Sequence, residues 1–286
     1  AHAVERGAIA RSTLDRHLDR LGVSRRRLHS LGRKTYRKVH TDAPFELLIA
    51  DFHHGPYVRV GWDDEARRAL LLLFLDHFSR YVIEGRYYLH EDFAALRFGF
   101  RRVLLAYGCF ALLYIDNGPS FHSRRFHAAC SHKAIDIDVV HSKAYVAEGR
   151  GACERLNRTI KEQFESEVRV RSELFTLDEL NASFEAWLAE RYHRDVHSET
   201  GETPLARVQT PTTCLRAAPE LSLVDELLRL REKRTVHRKW STVEVNNVRY
   251  LVDSALRGRR PFVLHDPMDL AYVLIEYDGR IVERAF

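Results

Sequence analysis

The sequence predicts an α/β protein whose main body is a mixed five-stranded sheet flanked by helices. Three observations carry this. Between Phe45 and Phe164 the hydrophobic patterning runs strand, strand, strand, helix, strand, helix, strand, helix. The first three strands are joined by short connections, which makes them an antiparallel meander, whereas each later strand returns through a helical crossover and must lie parallel to its neighbour. Finally, 45% hydrophobic residues in a chain of 286 suffice for a large core plus smaller modules.

Taken in order, Ser12 is an N-cap for a short helix with Leu14, Leu18 and Leu21 on one face and Arg16 and Arg20 on another, stopped by Gly22. A helix of that kind resembles the second helix of a helix-turn-helix unit. Arg25, Arg26, Arg27 and Lys34 follow in a basic linker suited to tracking phosphates. The expected strands are 45–52, 69–76, 80–89, 110–115 and 135–140, with helices over 91–107 and about 120–132. Asn117, Gly118 and Pro119 break the chain after the fourth strand. The order of the strands makes the first and the fourth neighbours. The next helix, entered from Gly149 to Gly151, packs through Leu156, Ile160 and Phe164 and carries Glu154, Arg158 and Lys161 on another side. A helix over 177–192 opens with Thr176 and Glu179 in capping-box spacing. The expected division is a basic helical segment at 1–40, a core at 41–205, a connector at 206–233 with a helix near 222–230, and a small β-barrel at 234–286. Asn246-Asn247 and Asp278-Gly279 mark hairpin turns in the last of these.

Charge is segregated more than its net value of +5 suggests. Residues 1–40 carry net +8 and residues 231–260 net +6, while 261–286 carry −3 and 41–230 carry −6. Basic arms around an acidic centre fit a protein that grips a polyanion while the centre binds cations. No apolar run reaches membrane-spanning length and no signal peptide is visible, so a cytoplasmic, nucleoid-associated protein of bacterial type is expected. The four cysteines form no Cys-x-x-Cys pair, which points to reduced core thiols. His122, His127, Cys130 and His132 lack metal-finger spacing. Met268 is the single methionine, so the chain begins after processing or is a piece of something longer.

Two apolar runs end in aspartate, Leu47 to Asp51 and Leu112 to Asp116, and Glu154 stands in the first turn of its helix. Carboxylates suit hard divalent cations, above all Mg²⁺ shared with substrate phosphates. Three acids on three elements therefore suggest one site for Mg²⁺, with Mn²⁺ as a substitute. Two ions there would serve an in-line phosphoryl displacement, Asp51 being shared by both.

These residues resemble the DDE transposases and retroviral-type integrases. The phrases that match are Ala50-Asp51-Phe52-His53-His54-Gly55-Pro56, Phe74 to Tyr81, Asp116 to Phe121, Gly151-Ala152-Cys153-Glu154-Arg155-Leu156-Asn157, and Tyr192-His193 through His197 to Thr203-Pro204. The final segment is similar to the β-barrel of Mu-type transposases. The resemblance implies a ribonuclease H-like core over about 45–205 with Asp51, Asp116 and Glu154 as catalytic metal ligands, and Arg158 and Lys161 facing DNA. The expected activity is nicking at the ends of a mobile element and strand transfer into target DNA by a homo-oligomer, with accessory transposition proteins as possible partners. The alternatives are a catalytically inactive DNA-binding or assembly protein and a ribonuclease H-like nuclease. One departure concerns the loop before the glutamate. The family commonly has prolines there, whereas this chain reads Ser142 to Glu148, and Glu148 is a second candidate for the third acid.

Overall fold

A strand that must bury both faces has no polar positions to spare, and Leu71-Leu72-Leu73-Phe74-Leu75 is such a run. In the computed structural model, which describes residues 11–21, 40–142, 151–266 and 269–286, its side chains alternate between two cores. Leu72 and Phe74 point into one with Leu96, Phe100 and Phe126, while Leu71, Leu73 and Leu75 point into the other with Leu156, Ile160, Phe184 and Trp187. Each such side chain contributes about 1.5 to 3 kcal/mol on burial.

The strands β1 (Leu47–Val60), β2 (Glu65–Asp76), β3 (Val82–Tyr88), β4 (Leu112–Ile115) and β5 (Asp138–His141) form one sheet in the order β3-β2-β1-β4-β5. The first three are antiparallel, and β4 and β5 continue them in parallel. Helices α2 (Phe93–Tyr107) and α3 (Arg124–Cys130) cover one face. The other is covered by α4, which starts at Gly151–Ile160, and α5, which starts at Leu177–Trp187. The order and neighbours expected from the sequence hold, as does the Thr176–Glu179 capping box. The hairpin does not end at Phe52. β1 continues through Pro56 because that residue sits in a register shift between His54 and Tyr57, where the strand ladder needs no N–H from it.

Both helices on the second face contain a π-turn, Lys161–Glu165 in α4 and Leu188–Tyr192 in α5. α4 then runs on through Ser166–Arg169. The extra residue in its π-turn lets Phe164 and Glu165 both face inward. Leu156, Ile160 and Phe164 form the packing face, as the spacing predicts.

Residues 205–220, at the start of the expected connector, are held against the core. Arg216 N–H donates to Cys109 O at 2.8 Å and the Cys109 N–H donates back to Arg216 O. Gly108, at φ 102°, lets that strand approach, since any side chain there would run into Arg216 O. After α6 (Pro204–Val208) and α7 (Leu221–Leu227), β6 (Leu230–Lys233) already belongs to the terminal module. β9 (Phe262–Asp266), β10 (Asp269–Tyr277) and β11 (Arg280–Ala285) complete a sheet ordered β11-β10-β9-β6, and β7 (Thr242–Val245) pairs with β8 (Val248–Leu251). One core holding Val243, Tyr250, Val263 and Ile275 joins the two sheets. Asn246 and Asn247 both take positive φ, as does Asp278-Gly279, which is the conformation their hairpin turns require. Arg97, 1% exposed, ties the module to α2 through Asp266 at 2.5 Å, and Arg101 donates to Asp225 of α7 at 2.5 Å.

Residues 1–39 cluster as a separate unit. Its described part is α1 (Arg11–Arg20), with Arg16 and Arg20 exposed. Leu21 lies beyond the helix end and is exposed rather than packed. Arg25, Arg26, Arg27, Lys34 and Glu148 lie outside the described residues. Among the described residues no helix is long and apolar enough to cross a membrane.

One histidine makes the fold acid-sensitive. His193 stacks on Tyr81 at 3.7 Å between ring centres and accepts the Val82 N–H at 3.2 Å. Burial lowers its pKa to about 4, whereas in the unfolded chain it titrates near 6.5. Its stabilising effect is therefore complete above pH 6.5 and is lost as pH falls toward 4. Asp76 and Glu84, pushed up by burial, act in the opposite sense, so a variant must isolate the effect. In urea unfolding at pH 7.5 and pH 5, wild type should lose about 2 kcal/mol more than His193→Gln, which keeps an acceptor but takes up no proton.

Candidate active site

The parallel pairing of β1 with β4 places Ala50 opposite Ile115, so Asp51 and Asp116 follow on adjacent strands at the same end of the sheet. Asp51 is 8% exposed and still within β1. Its Oδ2 accepts the Asn157 amide N–H at 3.0 Å and lies 3.7 Å from the Cys153 thiol. Both partners are on α4, one residue before Glu154 and three after it, so the helix is fastened to the first aspartate within a turn of its own acid. Glu154 itself is exposed.

Asp116 leaves the sheet into a turn in which its Oδ1 accepts the Gly118 N–H at 2.8 Å. A side chain on residue 118 would meet that oxygen at 2.9 Å and Glu91 Oε1 at 3.1 Å. Gly118 is thus required by crowding from two carboxylates. Asn117 donates to Ser142 O at 2.9 Å and holds the end of β5 against this turn. His141, on β5, lies 3.2 Å from Asp116 O through Nδ1 and stacks with His122 and His127. Burial, followed by those two neighbours, lowers its pKa despite the Asp116 contact, which acts the other way. Cys130 is buried in the core, which raises its pKa, and His132 turns to the Ala134 N–H at 3.3 Å.

The two aspartates and the Glu154 helix thus converge on one end of the sheet. The side chains do not close further: among the described residues no three of His, Cys, Asp or Glu stand close enough to hold one metal ion. In chemical kind the set fits a hard divalent cation, with a buried carboxylate, a second at a strand end and a third on a helix. Residues 143–150, which enter α4, lie outside the described residues.

Two further residues belong to this neighbourhood. Glu91 precedes α2 and accepts the Ser120 hydroxyl at 3.3 Å, close to Asp116. It stands just before the Asp92 cap, outside the helix, where an acid is ordinary, and no spacing signal marks it. Glu165, fully buried, lies 3.1 Å from His53 Nε2 and accepts from Tyr87 Oη at 3.2 Å and Arg169 at 2.8 Å. Burial, then the Glu165 charge, keeps Tyr87 protonated and donating. His53 is two residues beyond Asp51 on the same face of β1, so Glu165 is a second fastening between strand and helix. The π-turn that turns it inward has no sequence signature.

The other matching phrases hold this corner together. Asp76 accepts from Phe45 N, Ser79 N and the Ser79 hydroxyl. Arg80, at φ 65°, pairs with Glu199 at 3.2 Å, and Glu199 also takes Arg155 of α4 at 3.3 Å. Tyr192 donates to Arg80 O at 2.9 Å. Arg158 and Lys161 are exposed on the outer side of α4.

Residues 225–283 match the family model described as Mu transposase, C-terminal. No curated protein sequence matches the chain. Among solved structures, a chain of the simian T-cell lymphotropic virus intasome in complex with PP2A regulatory subunit B56 gamma aligns over 88% of this chain and 84% of its own, at 16% identity and TM-score 0.52. The HTLV-2 integrase catalytic core domain in complex with magnesium aligns over 59% of this chain and all of its own, at 20% identity and TM-score 0.47. The BIV integrase core aligns over 56% and 91%, at 18% identity and TM-score 0.42.

The buried contacts of α4 give a stability test. Glu165→Ala, which strands Arg169, Tyr87 and His53, should cost about 3 kcal/mol in urea unfolding. Arg158→Gln, on the exposed side of the same helix, should stay within about 0.5 kcal/mol of wild type.

The chain thus shares the fold of the intasome chain over most of its length, and its residues 225–283 are similar to the Mu transposase C-terminal family.

Proposed function

We propose that the protein is a DNA transposase or integrase that nicks element ends to free a 3′-OH and joins that end to target DNA. The reading is carried by one observation: Asp51 and Asp116 end paired parallel strands, with Glu154 on a helix fastened to Asp51 through Asn157. Asp51, Asp116 and Glu154 would hold the metal. Two Mg²⁺ ions bound there would activate the attacking oxygen and stabilise the leaving one.

The chain's own residues then have distinct tasks. Asn157 and the Cys153 thiol fix the orientation of the Asp51 carboxylate. Gly118 and Asn117 hold the Asp116 turn beside it. Arg158 and Lys161, together with Arg16, Arg20, Arg25, Arg26, Arg27 and Lys34, take DNA phosphates. In the first step a water oxygen bonds to phosphorus and the 3′ oxygen leaves, taking up a proton. In the second the freed 3′-OH attacks a target phosphodiester, one P–O bond replaces another, and no ATP is needed. Two ends must be held at once, so the working form is a homo-oligomer on DNA, in the cytoplasm with the nucleoid, with accessory transposition proteins as further partners. The proposed functional division is 1–40, 41–205, a connector over 206–233 whose last four residues pair as β6 with the terminal module, and that module at 234–286.

A second reading, a DNA-binding assembly protein without catalysis, draws on the absence of a closed three-ligand group among the described residues. One assay separates the two. With labelled, pre-nicked terminal-repeat DNA and a plasmid target in Mg²⁺, wild type should yield joined products and Asp116→Asn at least about a thousandfold fewer. Cleavage without joining would indicate a nuclease, and binding alone the assembly protein.

A further inference from the structure

Between the outer half of the β1–β2 hairpin and the far end of α4 lies a cavity of about 360 Å³. Four of its lining residues are cations, Arg68, Lys161, Arg169 and Arg171, and none is acidic. Tyr57 and Phe175 supply aromatic walls. Arg169 is balanced by the buried Glu165. Among the described residues Arg68, Lys161 and Arg171 have no carboxylate partner. Arg68 spends only Nε on Gly55 O, at 3.4 Å, and Arg171 lies 4.5 Å over the Phe175 ring, so the forked ends of both are available.

Three unbalanced cations facing one concavity repel one another until an anion enters, and the arginine fork matches phosphate oxygens in particular. The spacing says which phosphate. Lys161 and Arg169 follow Glu154 by seven and fifteen residues along the same helix, or about 10 to 22 Å at 1.5 Å per residue. One strand of a duplex presents a phosphate about every 3.4 Å, so this distance spans about three to six phosphates.

We propose that this cavity is a separate DNA-backbone site, which seats a phosphodiester about three to six nucleotides from the bond being cut or joined. It rests on the reading of the protein as a DNA-acting enzyme, and it adds Arg68 and Arg171, on elements other than the first turns of α4, to the surface that grips the strand. The cavity fixes the direction in which DNA leaves the acidic centre: along α4 toward the hairpin.

The test uses the full chain and a fluorescent duplex of about 20 bp, followed by anisotropy across a salt series in EDTA. Arg68→Ala/Arg171→Ala should bind about tenfold more weakly at low salt, and its log–log salt slope should shrink by about 0.9 for the one phosphate released. Arg68→Lys/Arg171→Lys should restore most of the slope, which a purely structural role for the arginines would not. Both side chains are exposed, so melting should be unchanged; Arg171→Gln alone serves as a milder variant. In a separate arm, inorganic phosphate should displace the duplex no better than KCl of equal ionic strength. Stronger displacement would mark a small-anion pocket and overturn the DNA assignment. A wild type that binds the duplex beside an alanine variant with the same slope would overturn the cavity alone. A wild type that binds no duplex would overturn both the cavity and the function it rests on.

Discussion

Four register pairs between Leu47–Ala50 and Leu112–Ile115 decide where the acids are. Parallel pairing obliges the chain to cross over the sheet through α2, and the same crossover brings the ends of β1 and β4 out together. Asp51 and Asp116 are the next residues on those two strands. Had β4 joined the edge at β3 instead, both aspartates would exist in the same local conformation with a strand width or more between them. Like charges placed side by side at strand ends are unfavourable by themselves, and this fold keeps them there by burying the apolar runs that precede them.

The third acid depends on tertiary contact more than on its own helix. α4 is fastened to β1 by Asn157 on Asp51 and by Glu165 next to His53, and to the corner after β2 by Arg155 through Glu199 to Arg80. These contacts explain why the phrases around Asp76 and Tyr192-His193 accompany the acids. They take no part in the proposed chemistry; they form the corner against which the helix is braced. The bracing leaves the outer face of α4, with Arg158 and Lys161, available to a polyanion.

The strands, their order and the neighbouring aspartates were legible because each rests on a local signal: an unbroken apolar run for a strand buried on both faces, an Asp at the end of a run, a helical spacing between strands. The reach of β1 past Pro56 was not, because a proline within a strand ordinarily ends it and only the bulge at His54 to Tyr57 makes room for it. Glu165 and Glu91 were missed for related reasons. A π-turn changes which residues face inward without changing composition, and Glu91 reaches Asp116 across an element boundary. β6 fell within the stretch expected as connector because four residues alternating Leu-Arg-Glu-Lys carry too little apolar signal to mark a strand. Leu21 was expected inside and is exposed, since the helix stops at Arg20.

The central claim is that Asp51, Asp116 and Glu154 serve one metal centre. Mn²⁺ binding to the full chain, followed by electron paramagnetic resonance, tests it most directly. Asp51→Asn, Asp116→Asn and Glu154→Gln should each weaken the same binding event by about tenfold or more, while Glu91→Gln leaves the event in place. An isotherm unchanged by Glu154→Gln would contradict the account, because the helix acid would then have no share in the centre that the strands begin.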